Sequence, residues 1–240
     1  MLRRRVAGVV ALAGIAGPAG PLAGCGGPSA GAGRDAEIVD ATPDAPAPID
    51  VPAGTPDLQF VARAMVDTVA VDQGVVFRDA DCEVVEGCVG AAGSRTLLRF
   101  ATVSANLGSA DLFVGAPPAA GESNARFVWS PCHKHHHVRD YASYELVDAT
   151  GVVATARKQA FCLEDDLPVQ PGVQPTGYSC LRQGISRGWA DVYTRDLPCQ
   201  WIDVTDVPPG SYTLCLMINP LRTLPESDYD NNVFTVDVSR

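Results

Sequence analysis

The chain has 240 residues and a formal net charge of −10 at pH 7. An acidic envelope disfavours nucleic acid as a partner, because phosphate backbones are gripped by clustered Lys and Arg, and it favours cationic small molecules or basic protein segments. All but two of the 18 basic residues are Arg; the two lysines are Lys134 and Lys158.

Arg3, Arg4 and Arg5 precede an apolar Ala/Gly/Val run that Gly and Pro at positions 14–20 interrupt before it reaches the roughly 20 residues of a membrane span. This is the pattern of a secretory signal. Residues 22–25, LAGC, resemble the lipobox of bacterial lipoproteins, which implies a chain exported to the cell envelope or surface, lipid-anchored at Cys25, or otherwise secreted. Contact with the membrane is then expected through that anchor only. Residues 26–55 are rich in Gly, Pro, Ala and Asp with neither a helical nor a strand period, and read as a flexible linker. Residues 56–240 suit a single domain.

From Pro56 onward, short runs of Val, Leu, Phe and Thr alternate with Gly, Pro, Asn and Asp, and no stretch of ten residues keeps a helical period. The expected class is all-β, an antiparallel β-sandwich core with long loops. Two hairpins are predicted, YELVDATGVVATA turning at DATG and WIDVTDVPPGSYTLCLMI turning at DVPPGS. An exported chain with eight cysteines is expected to carry disulfides. With Cys25 lipidated, seven cysteines remain and at least one thiol is left over.

All four histidines lie within residues 133–137, in SPCHKHHHVRD. As a strand, this stretch points His133, His135 and His137 to one side, about 7 Å apart in succession, and Lys134 and His136 to the other. As a helix it would put His135 on the far side from His133 and His137. Pro131 and Val138 favour extended structure. Three neutral imidazoles suit copper(II) or zinc rather than calcium or magnesium.

The segment CHKHHH is similar to the copper-binding CHxHxH segment of the lysyl oxidases. The segments YASYELVDATGVVATARKQAFCLEDD and QGISRGWADVYTRDLPCQWIDVTDVPPGSYTLCLMINPLRTLPESDYDNNV follow that family's motifs in order over about residues 56–236. The resemblance implies a copper-dependent amine oxidase domain over 56–240, converting primary amines, peptidyl lysine above all, to aldehydes with release of ammonia and hydrogen peroxide and with dioxygen as oxidant. It implies copper on His133, His135 and His137, and a self-derived lysine tyrosylquinone from Lys158 and Tyr193. Arg could not replace Lys158, since a guanidinium stays protonated and cannot act as the amine nucleophile.

In some members a calcium ion is bound at positions corresponding to Asp57, Leu58 (through its carbonyl), Glu226, Asp228, Asn231 and Asn232. The resemblance also implies the disulfides Cys82–Cys88 and Cys132–Cys180. Trp189 replaces the cysteine that would pair with Cys199, Cys162 lacks its short-range partner and Cys215 has no counterpart, which leaves the pairing of Cys162, Cys199 and Cys215 open, with Cys199–Cys215 across the second hairpin as one choice. The catalytic base is not assigned; Asp191 and Asp196 are the nearby carboxylates. The alternative reading is a non-catalytic copper-binding surface lipoprotein, which would need neither Lys158 nor Tyr193.

Overall fold

In the computed structural model, the described residues are Cys25, 54–156 and 162–240. In chain order they form β1 (Leu58–Phe60), α1 (Ala62–Met65), a 3-10 turn (Val66–Thr68), β2 (Ala70–Phe77), α2 (Cys82–Val85), β3 (Gly93–Arg99), β4 (Thr102–Asn106), β5 (Leu112–Gly115), β6 (Phe127–Ser130), β7 (His135–Val138), β8 (Ala142–Asp148), β9 (Gly151–Thr155), β10 (Leu167–Pro168), β11 (Gln183–Ile185), β12 (Trp189–Tyr193), β13 (Trp201–Asp203), β14 (Ser211–Ile218) and β15 (Val233–Ser239). The two α-helices have four residues each, in line with the missing helical period.

Every strand pairing is antiparallel. The sheets run β1-β4-β12-β10, β13-β3-β2 and β15-β14-β8-β9, with two-stranded pairs β11-β5 and β6-β7. β14 and β15 approach β1, and β8 and β9 approach β13, so the β15-β14-β8-β9 sheet lies against both other large sheets, as an antiparallel sandwich requires. The main core gathers Leu58, Phe100, Leu112, Tyr144, Ile202 and Leu216 with their neighbours. A smaller apolar cluster holds Phe77, Leu97 and Trp201 around Cys88 and Cys199.

β4 explains why a polar site can form inside this core. Its sequence TVSAN is buried along its whole length. Val103 and Ala105 enter the apolar cluster, whereas Thr102, Ser104 and Asn106 take the alternate face. Opposite them stand Tyr193 and Asp191 of β12, paired with Thr102 and Ser104. One face of a central strand pair is therefore polar and out of solvent.

The first predicted hairpin is present as β8–β9, where Asp148 Oδ1 accepts the Thr150 N–H at 2.7 Å. The second is not a hairpin. β13 pairs with β3, and β14 pairs with β8 and β15, so residues 204–210 cross between sheets. The reason lies at Asp203. Its side chain accepts from the Thr205 N–H and hydroxyl, from Gly90 N–H and from Arg95, which holds β13 against β3, while Val204 and Val207 are buried in the main core. Burial alone would raise the Asp203 pKa, but these hydrogen bonds outweigh it and hold the carboxylate below its ordinary range.

Among the described residues all eight cysteines are paired: Cys25–Cys215, Cys82–Cys132, Cys88–Cys199 and Cys162–Cys180. Cys82, Cys88, Cys132 and Cys180 are thus all disulfide-bonded, but not as Cys82–Cys88 and Cys132–Cys180. Cys82 and Cys88 flank α2 and reach two different partners. Cys199 goes to Cys88 rather than Cys215, because β13 and β14 do not form the hairpin that would have joined them. The expected leftover thiol is absent, since Cys25 takes the eighth place, and a sulfur in a disulfide cannot also carry a lipid thioether. Among the described residues no helix is long and apolar enough to cross a membrane.

Candidate metal and quinone site

The β6–β7 hairpin carries the histidines. Register pairs Ser130 with His135, Trp129 with His136 and Val128 with His137. His135 and His137 therefore share a face with Ser130, and His136 shares the opposite face with Trp129. His133 is not on the strand. It sits in the turn after β6, where the Lys134 N–H donates to the Ser130 carbonyl at 2.8 Å and Lys134 adopts a left-handed φ of 57°. That reversal brings His133 to the same side by a different route from the predicted alternation.

The ring centroids lie 5.7 Å apart for His133 and His135, 6.1 Å for His133 and His137, and 4.9 Å for His135 and His137. The Nε2 atoms of all three are out of solvent. Neutral imidazoles gathered this way fit copper(II) or zinc, which take nitrogen at about 2 Å. Lys134 is exposed. His136 does not point outward as expected; it is buried, donates from Nε2 to the Glu122 carbonyl at 2.9 Å and packs edge-on to Trp129 at 4.9 Å. It holds the hairpin together.

Three disulfides surround this cluster. Cys82–Cys132 fixes the residue before His133. A His135 nitrogen lies within 4.8 Å of the Cys162 and Cys180 sulfurs, and a Glu86 carboxylate oxygen lies equally close to those of Cys88 and Cys199. Because these sulfurs are bonded to one another, they cannot act as thiolate ligands. Sequence reasoning missed Glu86 and Ser130. The Glu86 carboxylate receives a short hydrogen bond from the Ser130 hydroxyl, and its Oε2 stands 3.3 Å from His133 Nε2. The only signal was CEVVEGC, a carboxylate held between two cysteines with distant partners.

Tyr193 lies on β12, 3% exposed, and its hydroxyl donates to the Cys162 carbonyl at 3.3 Å. Asp191, two residues earlier on the same face, is 1% exposed and accepts the Glu164 N–H at 3.0 Å. Burial holds the Tyr193 phenol well above its ordinary pKa, and the adjacent Asp191 carboxylate adds to this. Burial likewise pushes Asp191 well above the carboxylate range, against the pull of Tyr193 and the Glu164 amide. Tyr144, in the same interior, is pushed up to about 12 by burial. Asp196 is 88% exposed and lies away from this interior. Lys158 lies outside the described residues, between Ala156, which donates its N–H to Tyr144 at 2.9 Å, and Cys162. Among the described residues, Cys162 meets Tyr193 through its carbonyl and His135 through its sulfur, and Gln183 bonds the His136 carbonyl at 2.8 Å and the Leu163 N–H at 3.1 Å.

The carboxylate group near the chain ends is partly assembled. Glu226 accepts from Leu58 N–H at 2.8 Å, Asn219 at 2.6 Å and Asn232 at 3.0 Å, and Asn231 donates to Asp57 at 3.0 Å. Asp57, Leu58, Glu226, Asn231 and Asn232 thus meet across more than 160 residues of chain. Asp228 does not join them; it is exposed and caps a turn by accepting the Asp230 N–H. The Oδ1 atoms of Asn231 and Asn232 are buried acceptors without a hydrogen-bond partner, and burial raises the Glu226 pKa.

The lysyl oxidase family profile matches residues 63–239. The chain belongs to the lysyl oxidase family. It is 36% identical to chicken protein-lysine 6-oxidase over 169 residues, 65% of this chain and 39% of that protein. It is 37% identical to chicken lysyl oxidase homolog 2 over 191 residues, 74% of this chain and 24% of that protein. Human lysyl oxidase homolog 2 is 35% identical over 191 residues, with the same coverage. The chain therefore spans less than two fifths of the length of these curated relatives. Within the family fold, the histidine hairpin and Tyr193 occupy one contiguous region tied together by the paired cysteines.

Proposed function

We propose that this chain is a copper- and quinone-dependent amine oxidase that converts a primary amine, peptidyl lysine above all, into an aldehyde. The observation that carries the reading is the gathering of His133, His135 and His137 with their Nε2 atoms out of solvent. Those three side chains would hold the copper, and Tyr193 with Lys158 would form the lysine tyrosylquinone. When bound, the copper and quinone supply the redox chemistry that the twenty ordinary side chains lack. Overall, amine, dioxygen and water give aldehyde, ammonia and hydrogen peroxide.

The protein's own residues set the conditions. The interior around Tyr193 keeps its hydroxyl protonated and excludes water, so Tyr193 needs a local proton acceptor to react. Of the two carboxylates that could serve as the catalytic base, Asp191 is the better candidate, because it shares the buried face of β12 with Tyr193 whereas Asp196 is at the surface. Lys158 is the one lysine beside this interior in sequence, two residues after Ala156 and four before Cys162.

The five gathered oxygen-bearing residues near Glu226 fit a calcium ion, with the two buried Asn acceptors as the atoms that it would satisfy. An exported setting follows from the N-terminal pattern and the disulfides, either secreted or at the envelope, with Cys25 carrying a lipid only in a form lacking Cys25–Cys215.

Copper-loaded protein should stain for quinone, show a visible absorption band and carry an intact-mass signature of a Lys158–Tyr193 link. It should release peroxide with a lysine-rich protein or with alkylamines, and Lys158→Arg should abolish all four signals. Copper-loaded protein with neither the stain nor the link would sink the oxidase reading and leave a copper-binding protein.

A further inference from the structure

We infer that Gln183 is a positioning residue that fixes the histidine hairpin and Tyr193 in one register; this rests on the copper and quinone reading above. Gln183 opens β11 and is fully buried. Its amide reaches both sides of the site. Nε2 donates to the His136 carbonyl at 2.8 Å, and Oε1 accepts the Leu163 N–H at 3.1 Å. His136 stands between His135 and His137 on the hairpin. The Leu163 N–H and the Cys162 carbonyl are the two ends of one planar peptide group, and that carbonyl accepts the Tyr193 hydroxyl at 3.3 Å. Three hydrogen bonds and one peptide plane therefore lead from the histidine strand to the phenol. Every residue along the way is buried, where such bonds are stronger than in water and reinforce one another.

The linkage is built rather than incidental. His136 is held at its ring as well, by the Glu122 carbonyl. Gly184 donates its N–H to the Leu163 carbonyl at 3.1 Å, so β11 grips Leu163 through two successive residues. That grip needs glycine, because a Cβ at position 184 would collide with the Leu112 carbonyl oxygen and the Tyr178 ring. A primary amide suits position 183, since it offers a donor and an acceptor together and carries no charge. An apolar side chain of the same size would fill the space and make neither bond.

The test is copper(II) titration of the metal-free, disulfide-intact protein, followed without any amine substrate by the visible quinone band and by the intact mass of the Lys158–Tyr193 link. Gln183→Met should still bind copper with an affinity close to wild type, since all three histidines remain. Its quinone should form about 10- to 100-fold more slowly, the scale of effect that a misplacement of about 1 Å produces. Gln183→Glu carries the sharper signature. Ionised, its carboxylate accepts from Leu163 but cannot donate to the His136 carbonyl; protonated, it makes both bonds as the amide does. Burial lifts a glutamate into the neutral range, so its rate of quinone formation relative to wild type at the same pH should rise between about pH 8 and about pH 6. A ratio that does not change with pH, or a wild-type rate in copper-loaded Gln183→Met, overturns the inference and leaves the oxidase reading standing. A parallel fall of copper binding and quinone formation in both variants also overturns it, since that is what a general loss of fold produces. Should Gln183→Met fail to fold, the pH ratio of Gln183→Glu decides by itself. Wild-type protein that binds copper and forms no quinone sinks the oxidase reading and this inference with it.

Discussion

His136 and His137 are neighbours in the chain and serve different purposes. His136→Ala should cost about 2–3 kcal/mol of stability, from the lost ring packing and the unpaired Glu122 carbonyl, and leave copper stoichiometry unchanged. His137→Ala should do the reverse, with a small change in melting temperature and a loss of copper affinity beyond the 10- to 100-fold typical of outer-sphere partners. Thermal unfolding beside metal titration separates the two. Asp191 makes a pH prediction whose sign follows from its raised pKa. The unfolded carboxyl loses its proton near its ordinary pKa of about 3.9, while the folded one keeps it to higher pH. The stability that Asp191 contributes is therefore full below about pH 4 and is lost as pH rises toward the folded pKa. Asp191→Asn, a mimic of the protonated form, should flatten that decline, matching wild type near pH 4 and exceeding it at pH 8 in melting temperature.

At the scale of elements, the β6–β7 hairpin is short and would be marginal alone, since two strands cannot bury enough surface. Cross-links supply what the strands lack. The Cys82–Cys132 bridge closes a loop of 50 residues, worth about 4 kcal/mol in the chain-entropy model. Replacing both cysteines by Ala should lower stability by about that amount and weaken copper binding together, because the residue before His133 is then no longer anchored. The crossing from β13 to β14 is a second such device. Asp203→Ala should cost about 2–3 kcal/mol above pH 5, since it strands the Arg95 guanidinium and the Gly90 and Thr205 amides at once. The effect should shrink as pH falls through the depressed native pKa of Asp203, where the wild-type carboxylate is itself protonated.

Across the whole molecule, the segment at Asp57 and Leu58 and the one from Glu226 to Asn232 close the sandwich at one edge, and calcium should act there as a stabiliser. Calcium at 100 times its dissociation constant should add about 2.7 kcal/mol to the metal-free protein, and Asn232→Ala should remove the gain. No shift in melting temperature on adding calcium would refute the site. The sequence by itself determined the class of fold, the β8–β9 turn and the His135/His137 face, because strand alternation and turn chemistry are local and survive any packing. The match of motifs in order also marked Tyr193 and the oxygen-bearing group near Glu226. What only the tertiary structure decided depends on contacts between distant residues. Disulfide partners follow from which sheets pack together, not from spacing. The crossing at Asp203 depends on Arg95 and Gly90, more than 100 residues away. His136 turned inward because Trp129 and the Glu122 carbonyl wait there, and Glu86 reached His133 because the Cys82–Cys132 bridge ties α2 to the hairpin. No local pattern encodes that meeting, since it is the product of loop closures rather than of periodicity.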